Sequence, residues 1–135
     1  MDGILDRLAA LAFPVRCPGC GRPGAPVCGR CLAGVRPAPP APPPLGLVAW
    51  SAAFAYEGVV REAVARAKYH GSHASLRGLG DHAASAWHDL AAQAGLARPD
   101  VVTWAPTAPA RRRARGVDHA RVLAQVVAAR LGVPA

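Results

Sequence analysis

Two groups of residues in this chain have the types and spacing for chemistry. The first is Cys17-Pro-Gly-Cys20 followed by Cys28-Gly-Arg-Cys31, a C-x2-C-x7-C-x2-C pattern. Two residues between paired cysteines let both sulfurs turn toward one point, and Gly19, Gly21 and Gly29 permit tight turns with N–H groups directed at the thiolates. Two such pairs complete a tetrahedral four-sulfur site that suits structural Zn²⁺ and leaves no open position for a reacting water. A redox C-x-x-C is the alternative, and the absence of a following thioredoxin-like pattern argues against it. The second group is Arg111, Arg112, Arg113 and Arg115 with Gly116, placed just before Asp118. A basic loop that runs into a helix N-terminus is a setting for phosphate, because backbone N–H groups and guanidinium groups both favour an anion. A solvated run of charge is the plainer reading, and contact with nucleic-acid backbone phosphates is a third.

The elements that must position these groups follow from periodicity. Val101-Val102-Thr103-Trp104 is a short β-favouring run with the pattern of a strand buried on both faces, and residues 105–116 read as a loop. Asp118 is a good N-cap for a helix whose apolar face is Val122, Leu123, Val126, Val127 and Leu131, with Gly132 and Pro134 as its stop. Strand, basic loop and helix form the unit of an open α/β sheet, whose ligands sit outside the carboxyl ends of the strands. Upstream, Val48, Trp50, Ala52, Phe54 and Tyr56 alternate with small residues, which predicts a strand with one bulky face. A helix over about 59–69 comes next, with Val60, Val64 and Ala67 inward and Glu62 paired with Arg66. Lys68, the sole lysine, falls at its C-terminus, where the helix dipole stabilises a cation; contact with a phosphate is the functional alternative. Ser72 reads as the N-cap of a helix reaching about Ala94, with Leu76, Leu79, Ala83, Trp87, Leu90 and Ala94 on its buried face and Gly95 as its end. The spacings of His70, His73, His82 and His88 put no ligand set on one face.

Composition bounds what these parts can build. The 135 residues suffice for one modest domain, or for a small metal module with part of a larger one, and the second fits the pattern better. The formal charge of +8 becomes +6 once four thiolates surround a divalent ion, so the chain favours anionic partners in either state. Six prolines between Pro37 and Pro44 make an extended connector of about 25 Å at ~3.1 Å per residue, separating the cysteine module from the remainder of the chain. The organisation expected is an N-terminal helix and zinc module over 1–35, a proline-rich linker over 36–47 and an α/β unit over 48–135. No apolar run reaches the ~20 residues of a membrane span. Asp2 and Asp6 occupy what would be the positive end of a signal peptide, so residues 1–13 read as a short amphipathic helix and the chain as cytoplasmic, where cysteines serve metals.

Taken in order, the cysteine quartet, the proline linker, AYEGVVREAVARAKYHG, DVVTWAPT and RRRARGVDHARVLA resemble the ComF family of phosphoribosyltransferase-like proteins, named for a role in DNA uptake during natural competence and related to the GntX proteins. The likeness spans nearly the whole chain. It implies an α/β fold, with the four-cysteine zinc module joined to a phosphoribosyltransferase-type (Rossmann-like) domain. It implies zinc on Cys17, Cys20, Cys28 and Cys31, Lys68 in a K-x-x-G element, and Arg113, Arg115 and Gly116 beside the diphosphate of phosphoribosyl diphosphate. Val117, Asp118 and His119 depart from the aromatic-Asn-Gln usual in the family. The family's signature, a strand ending in Asp-Asp before a Thr-Thr-Gly-like turn, is absent: the sequence has no adjacent acid pair and no Thr-Thr-Gly. The expectation is therefore an incomplete α/β domain, truncated at its C-terminal end, with no catalytic residues of its own and weak or no binding of phosphoribosyl diphosphate. Mg²⁺ would enter only with the missing segment. Implied partners are phosphorylated small molecules, competence proteins, nucleic acid or a second copy of the chain. The alternative is a nonenzymatic zinc-containing module that uses Arg111 to Arg115 on nucleic acid or protein.

Overall fold

The computed structural model describes residues 14–70 and 73–135, so the readings of residues 1–13 and of Ser72 lie outside the described residues. Among them the regular structure is helical: α1 (Gly29–Ala33), α2 (Gly58–His70), α3 (Ala74–Ala94), α4 (Pro109–Arg115) and α5 (His119–Leu131). Helix α3 is central, packed against α2 on one side and α5 on the other. On α2, Val60, Ala63 and Ala67 recur at three- and four-residue spacing and are buried. Val60 and Ala63 meet Leu79 of α3, with Val35, Phe54, Val59 and Val64 packed around them. Arg66 reaches out of α2 to donate to the Pro18 carbonyl at 3.3 Å.

Burial on α3 is concentrated in its first half, at Ser75, Leu76, Leu79, Gly80 and Ala84. The stripe expected to continue through Trp87 and Leu90 is half-covered, and Ala94 is exposed. This second half faces Pro37–Ala41 and Trp50–Ala53 across an open groove of about 420 Å³. Helix α5 buries His119, Ala124, Ala128 and Leu131, while the expected Val122, Leu123, Val126 and Val127 are half-buried. Its small residues face inward because the two helices approach closely. A Cβ placed on Gly80 would lie 2.9 Å from Cβ of Val126.

The expected α/β domain is not what forms. Among the described residues the β structure is one antiparallel bridge, Arg16 with Pro23, in the cysteine segment. A strand exists only where a neighbour shares its hydrogen-bond ladder, and neither predicted strand has one. The Val102 N–H donates to the Pro134 carbonyl at 2.9 Å, and the Ala55 N–H to the Arg36 carbonyl at 3.0 Å, so each segment is tied to a non-strand stretch. Val101 is 56% exposed, which removes the two-sided burial that its apolar run suggested. Of the bulky face at 48–56, Phe54 reaches the core, whereas Val48, Trp50 and Tyr56 are exposed. The stretch 105–116, read as a loop, contains α4, which starts with Pro109 in its first turn and ends at Gly116 with φ 75°.

The cysteine segment touches α2 and α3 directly. Ser75 Oγ donates to the Pro26 carbonyl at 2.9 Å, Arg66 holds Pro18, and Gly19 lies against Val59. Among the described residues no helix is long and apolar enough to cross a membrane.

The α3–α5 approach is open to direct test. At Gly80→Ala the methyl meets Val126, and overpacking of about 1–3 kcal/mol exceeds the gain in helix propensity of at most ~1 kcal/mol, so the melting temperature should fall. At Gly78→Ala the new methyl meets nothing within 4 Å, so thermal denaturation should show a rise.

Candidate metal centre and basic cleft

The cysteine segment folds as two turns facing each other. After Arg16 bridges Pro23, the Cys17 N–H donates to the Arg22 carbonyl and the Gly21 N–H to the Cys17 carbonyl, both at 2.9 Å. This closes the first turn around Cys17 and Cys20. The second pair sits on α1, with Cys28 as its N-cap residue and Cys31 in its body. A Cβ on Gly19 would stand 2.9 Å from Cys31 Sγ, so only glycine lets the two turns come this close.

All four Sγ atoms lie within 4.8 Å of one another, with Cys20 and Cys28 at 3.6 Å. Sulfurs ~2.3 Å from a central zinc form a tetrahedron with edges of roughly 3.8 Å, so the set fits a metal ion such as zinc. Cys17 is fully buried, Cys28 and Cys31 are half-buried and Cys20 is exposed. Burial pushes the Cys17 thiol up, but the N–H groups of Cys28, Cys20 and Gly19, with the Cys31 thiol, bring it down to about 6. The Cys31 N–H and the Cys20 thiol likewise lower Cys28. Cys31 is pushed up to about 12 by its crowding against Cys28 and Cys17. Some of the sulfurs are thus ready to ionise while their neighbours resist, and a cation at the centre removes that conflict.

The arginine group lies elsewhere, at the start of α5. Trp104, Pro106, Arg112, Arg113, Asp118 and Arg121 line a cleft of about 640 Å³, together with Gly116, Val117, Val122 and Gln125. Asp118 builds its floor. One carboxylate oxygen accepts the Thr107 hydroxyl at 2.9 Å and the Arg121 N–H at 3.5 Å, and the other accepts the Thr107 N–H at 3.1 Å. This clip fastens the stretch before α4 to the N-terminus of α5 and caps that helix. The Gly116 N–H is engaged by the Arg112 carbonyl at 2.9 Å, so Gly116 shapes the cleft rather than offering it a donor. The Arg121 guanidinium stands 5.7 Å from the centroid of the Trp104 ring.

Of the residues expected from the sequence, the four cysteines come together, and Arg113 and Gly116 line the cleft. The Arg115 side chain lies outside the described residues. Lys68 is half-buried and does not line the cleft, although its neighbour Ala67 accepts a 2.8 Å hydrogen bond from His119 Nε2. Sequence reasoning missed Trp104, Thr107, Arg121 and Gln125 as a group. Arg121 and Gln125 are one helical turn apart, a spacing that could have paired them.

Asp118 should be a measurable clasp. The Thr107 N–H, foremost, then the Thr107 hydroxyl and the N–H groups of Arg121 and Ala120 hold its carboxyl below its ordinary 3.8, against a smaller opposing effect of burial. A lowered folded value means that its contribution is complete at neutral pH and is lost as the pH falls through the acid range below about 4. Asp118→Ala should lower the melting temperature at pH 7 by several degrees and should flatten the loss of stability between pH 5 and 3 seen for the parent chain.

Comparison with protein-family models, with characterised proteins and with solved structures gives no match to this chain.

Proposed function

We propose that this chain is a ComF-related protein in which a zinc ion staples the cysteine segment and the basic cleft binds a phosphorylated small molecule. The observation that carries the reading is the placement of Arg112 and Arg113 in one cleft with the N-terminus of α5. Guanidinium groups match phosphate oxygens in paired hydrogen bonds, and a helix N-terminus adds positive potential. The one carboxylate in the cleft, Asp118, has both oxygens occupied by Thr107 and the Arg121 N–H, which limits its repulsion of an anion. Lys68, Arg113, Arg115 and Gly116 are the residues that the family resemblance assigns to such a ligand, and Arg112 joins them from the cleft. Binding, not group transfer, is the activity proposed for these residues. The sequence carries no adjacent acid pair to hold ribose hydroxyls or Mg²⁺.

Zinc is the ion proposed for Cys17, Cys20, Cys28 and Cys31. It accepts four thiolates in a tetrahedron without geometric preference, and a closed four-sulfur set gives it a folding role and no place for a substrate.

Elemental analysis of protein prepared without chelators should find close to one zinc per chain, and Cys17→Ser should remove it; metal-free native protein would exclude the site. In calorimetric titrations at fixed salt, Arg112→Ala and Arg113→Ala should each weaken inorganic diphosphate binding about tenfold, the equivalent of one charge-assisted hydrogen bond of ~1.5 kcal/mol. Unchanged affinity in both variants would reduce the run to a solvated surface.

A further inference from the structure

We propose that Cys20 is an oxidation site with Cys28 as its resolving partner: a hydroperoxide joins the two as a disulfide between the facing turns, and the zinc is released. The inference rests on the zinc reading of the four cysteines and adds the regulation of that site. It follows from how unequally the four sulfurs are shielded. Cys17 has no exposed surface, and its Sγ accepts the Cys28 N–H at 3.4 Å. Cys31 Sγ lies against Gly19 of the opposite turn, where a Cβ would stand 2.9 Å from it, and Val59 closes on the same glycine. Cys20 is the exposed member of the set. Thiolate character and access decide which cysteine an oxidant reaches, and coordination makes thiolates of all four, so access decides here.

The partner is set by distance. Cys28 Sγ stands 3.6 Å from Cys20 Sγ, and a disulfide bond is about 2.05 Å long, so closure takes a displacement of roughly 1.5 Å shared between two side chains. The Cys20 thiolate attacks the peroxide O–O bond, giving a sulfenic acid and, from hydrogen peroxide, one hydroxide. The Cys28 thiolate then attacks the Cys20 sulfur; the S–S bond forms and a second hydroxide leaves. The two sulfurs lose two electrons, the peroxide gains them, and two protons from solvent turn both hydroxides into water. The bond runs across the turns and not within either C-x-x-C pair. Its two sulfurs are no longer thiolates, and Cys17 with Cys31 are too few to close a four-sulfur site. The backbone keeps its anchors, because Arg66 on the Pro18 carbonyl and Ser75 on the Pro26 carbonyl involve no sulfur. The cysteines therefore stay within reach of one another, and a dithiol reductant, itself oxidised to a disulfide, returns Cys20 and Cys28 to thiols.

The test uses the zinc-loaded full chain, freed of excess zinc and reductant and then treated with hydrogen peroxide. A chromogenic chelator follows the zinc, remaining thiols are alkylated after denaturation, and tandem mass spectrometry of tryptic peptides locates the disulfide. Trypsin, cutting after Arg16 and Arg30, places Cys17, Cys20 and Cys28 on one peptide and Cys31 on the next. Zinc release should keep step with the loss of two thiols per chain, with a Cys20–Cys28 bond inside the first peptide and alkylated Cys17 and Cys31. Dithiothreitol with added zinc should restore the starting protein. Before any peroxide, brief treatment of the zinc-loaded chain with iodoacetamide should label Cys20 at least about tenfold faster than Cys17. A disulfide within either C-x-x-C pair or any link to Cys31 overturns the inference, as does equal labelling of Cys20 and Cys17. So does retention of zinc with four unmodified thiols in excess peroxide. Each of these leaves the zinc reading standing, whereas protein that holds no zinc before the peroxide is added removes both.

Discussion

A backbone approach with no room for a methyl group sets the arrangement of α3 and α5, and the rest of the described structure is placed by it. Gly80 lies against Val126, and small residues are buried on both helices, Ala84 on α3 and Ala124 and Ala128 on α5. Close contact of small side chains gains dispersion energy over many atoms although each buries little area. The exposed pair Asp81–Arg130, 2.6 Å apart at the rim, adds little to stability in comparison, because water screens it. With α5 located by Gly80, its first residue is located too. His119 reaches across to the Ala67 carbonyl at 2.8 Å, and α2 is joined to the same end.

That end is where the cleft can exist. Helix α4 has seven residues and three consecutive exposed arginines, so it has no apolar face to bury. It is held by its ends. Gly116 caps it in a left-handed conformation, and the Thr107–Asp118 clip draws the preceding stretch back to α5. Closing so short a loop costs little chain entropy, and one buried carboxylate with three donors offsets it. The outcome is positive charge kept in solvent reach on one wall with Trp104 on another. Hydrophobic collapse would not leave that combination open.

How much of this was legible in the sequence depends on how local each signal is. The cysteine cluster was readable from spacing, since four residues within a short stretch determine their own meeting point. So were the Asp118 cap, the Gly95 and Gly132 ends and the inner face of α2, because each rests on hydrogen bonds or burial within one or two turns. The sheet failed for the opposite reason. Val101-Val102-Thr103-Trp104 has strand propensity, but pairing is a property of two segments, and no other described stretch supplies a ladder. The inward face of α5 was read in part: Leu131 is buried and Val126 meets Gly80 as expected, but Ala124 and Ala128 were missed because alanine fits either a core or a surface. Helix α4 was visible in principle. Pro109 followed by good helix formers and Gly116 is a start and a stop, which the charge of the arginines obscured.

The cysteine segment and the helices also explain each other. Pro18 and Pro26 leave carbonyls in the turns that need donors, and the helices provide them as Arg66 and Ser75. Cys17 is the fully buried member of the quartet, and Gly19 beside it packs on Val59, so the turn around it is part of the α2 surface. A segment with so few apolar residues of its own has little burial to oppose its chain entropy. Attachment of Pro18 and Pro26 to α2 and α3 supplies part of what burial does not, and a metal held by the four cysteines would act on the same segment. Free energy gained when a metal closes the four sulfurs therefore stabilises the Pro18 and Pro26 contacts as well as the turns. From there the contacts run through α2 to the Ala67 carbonyl and His119, while Pro37–Ala41 of the proline segment line a groove with the second half of α3.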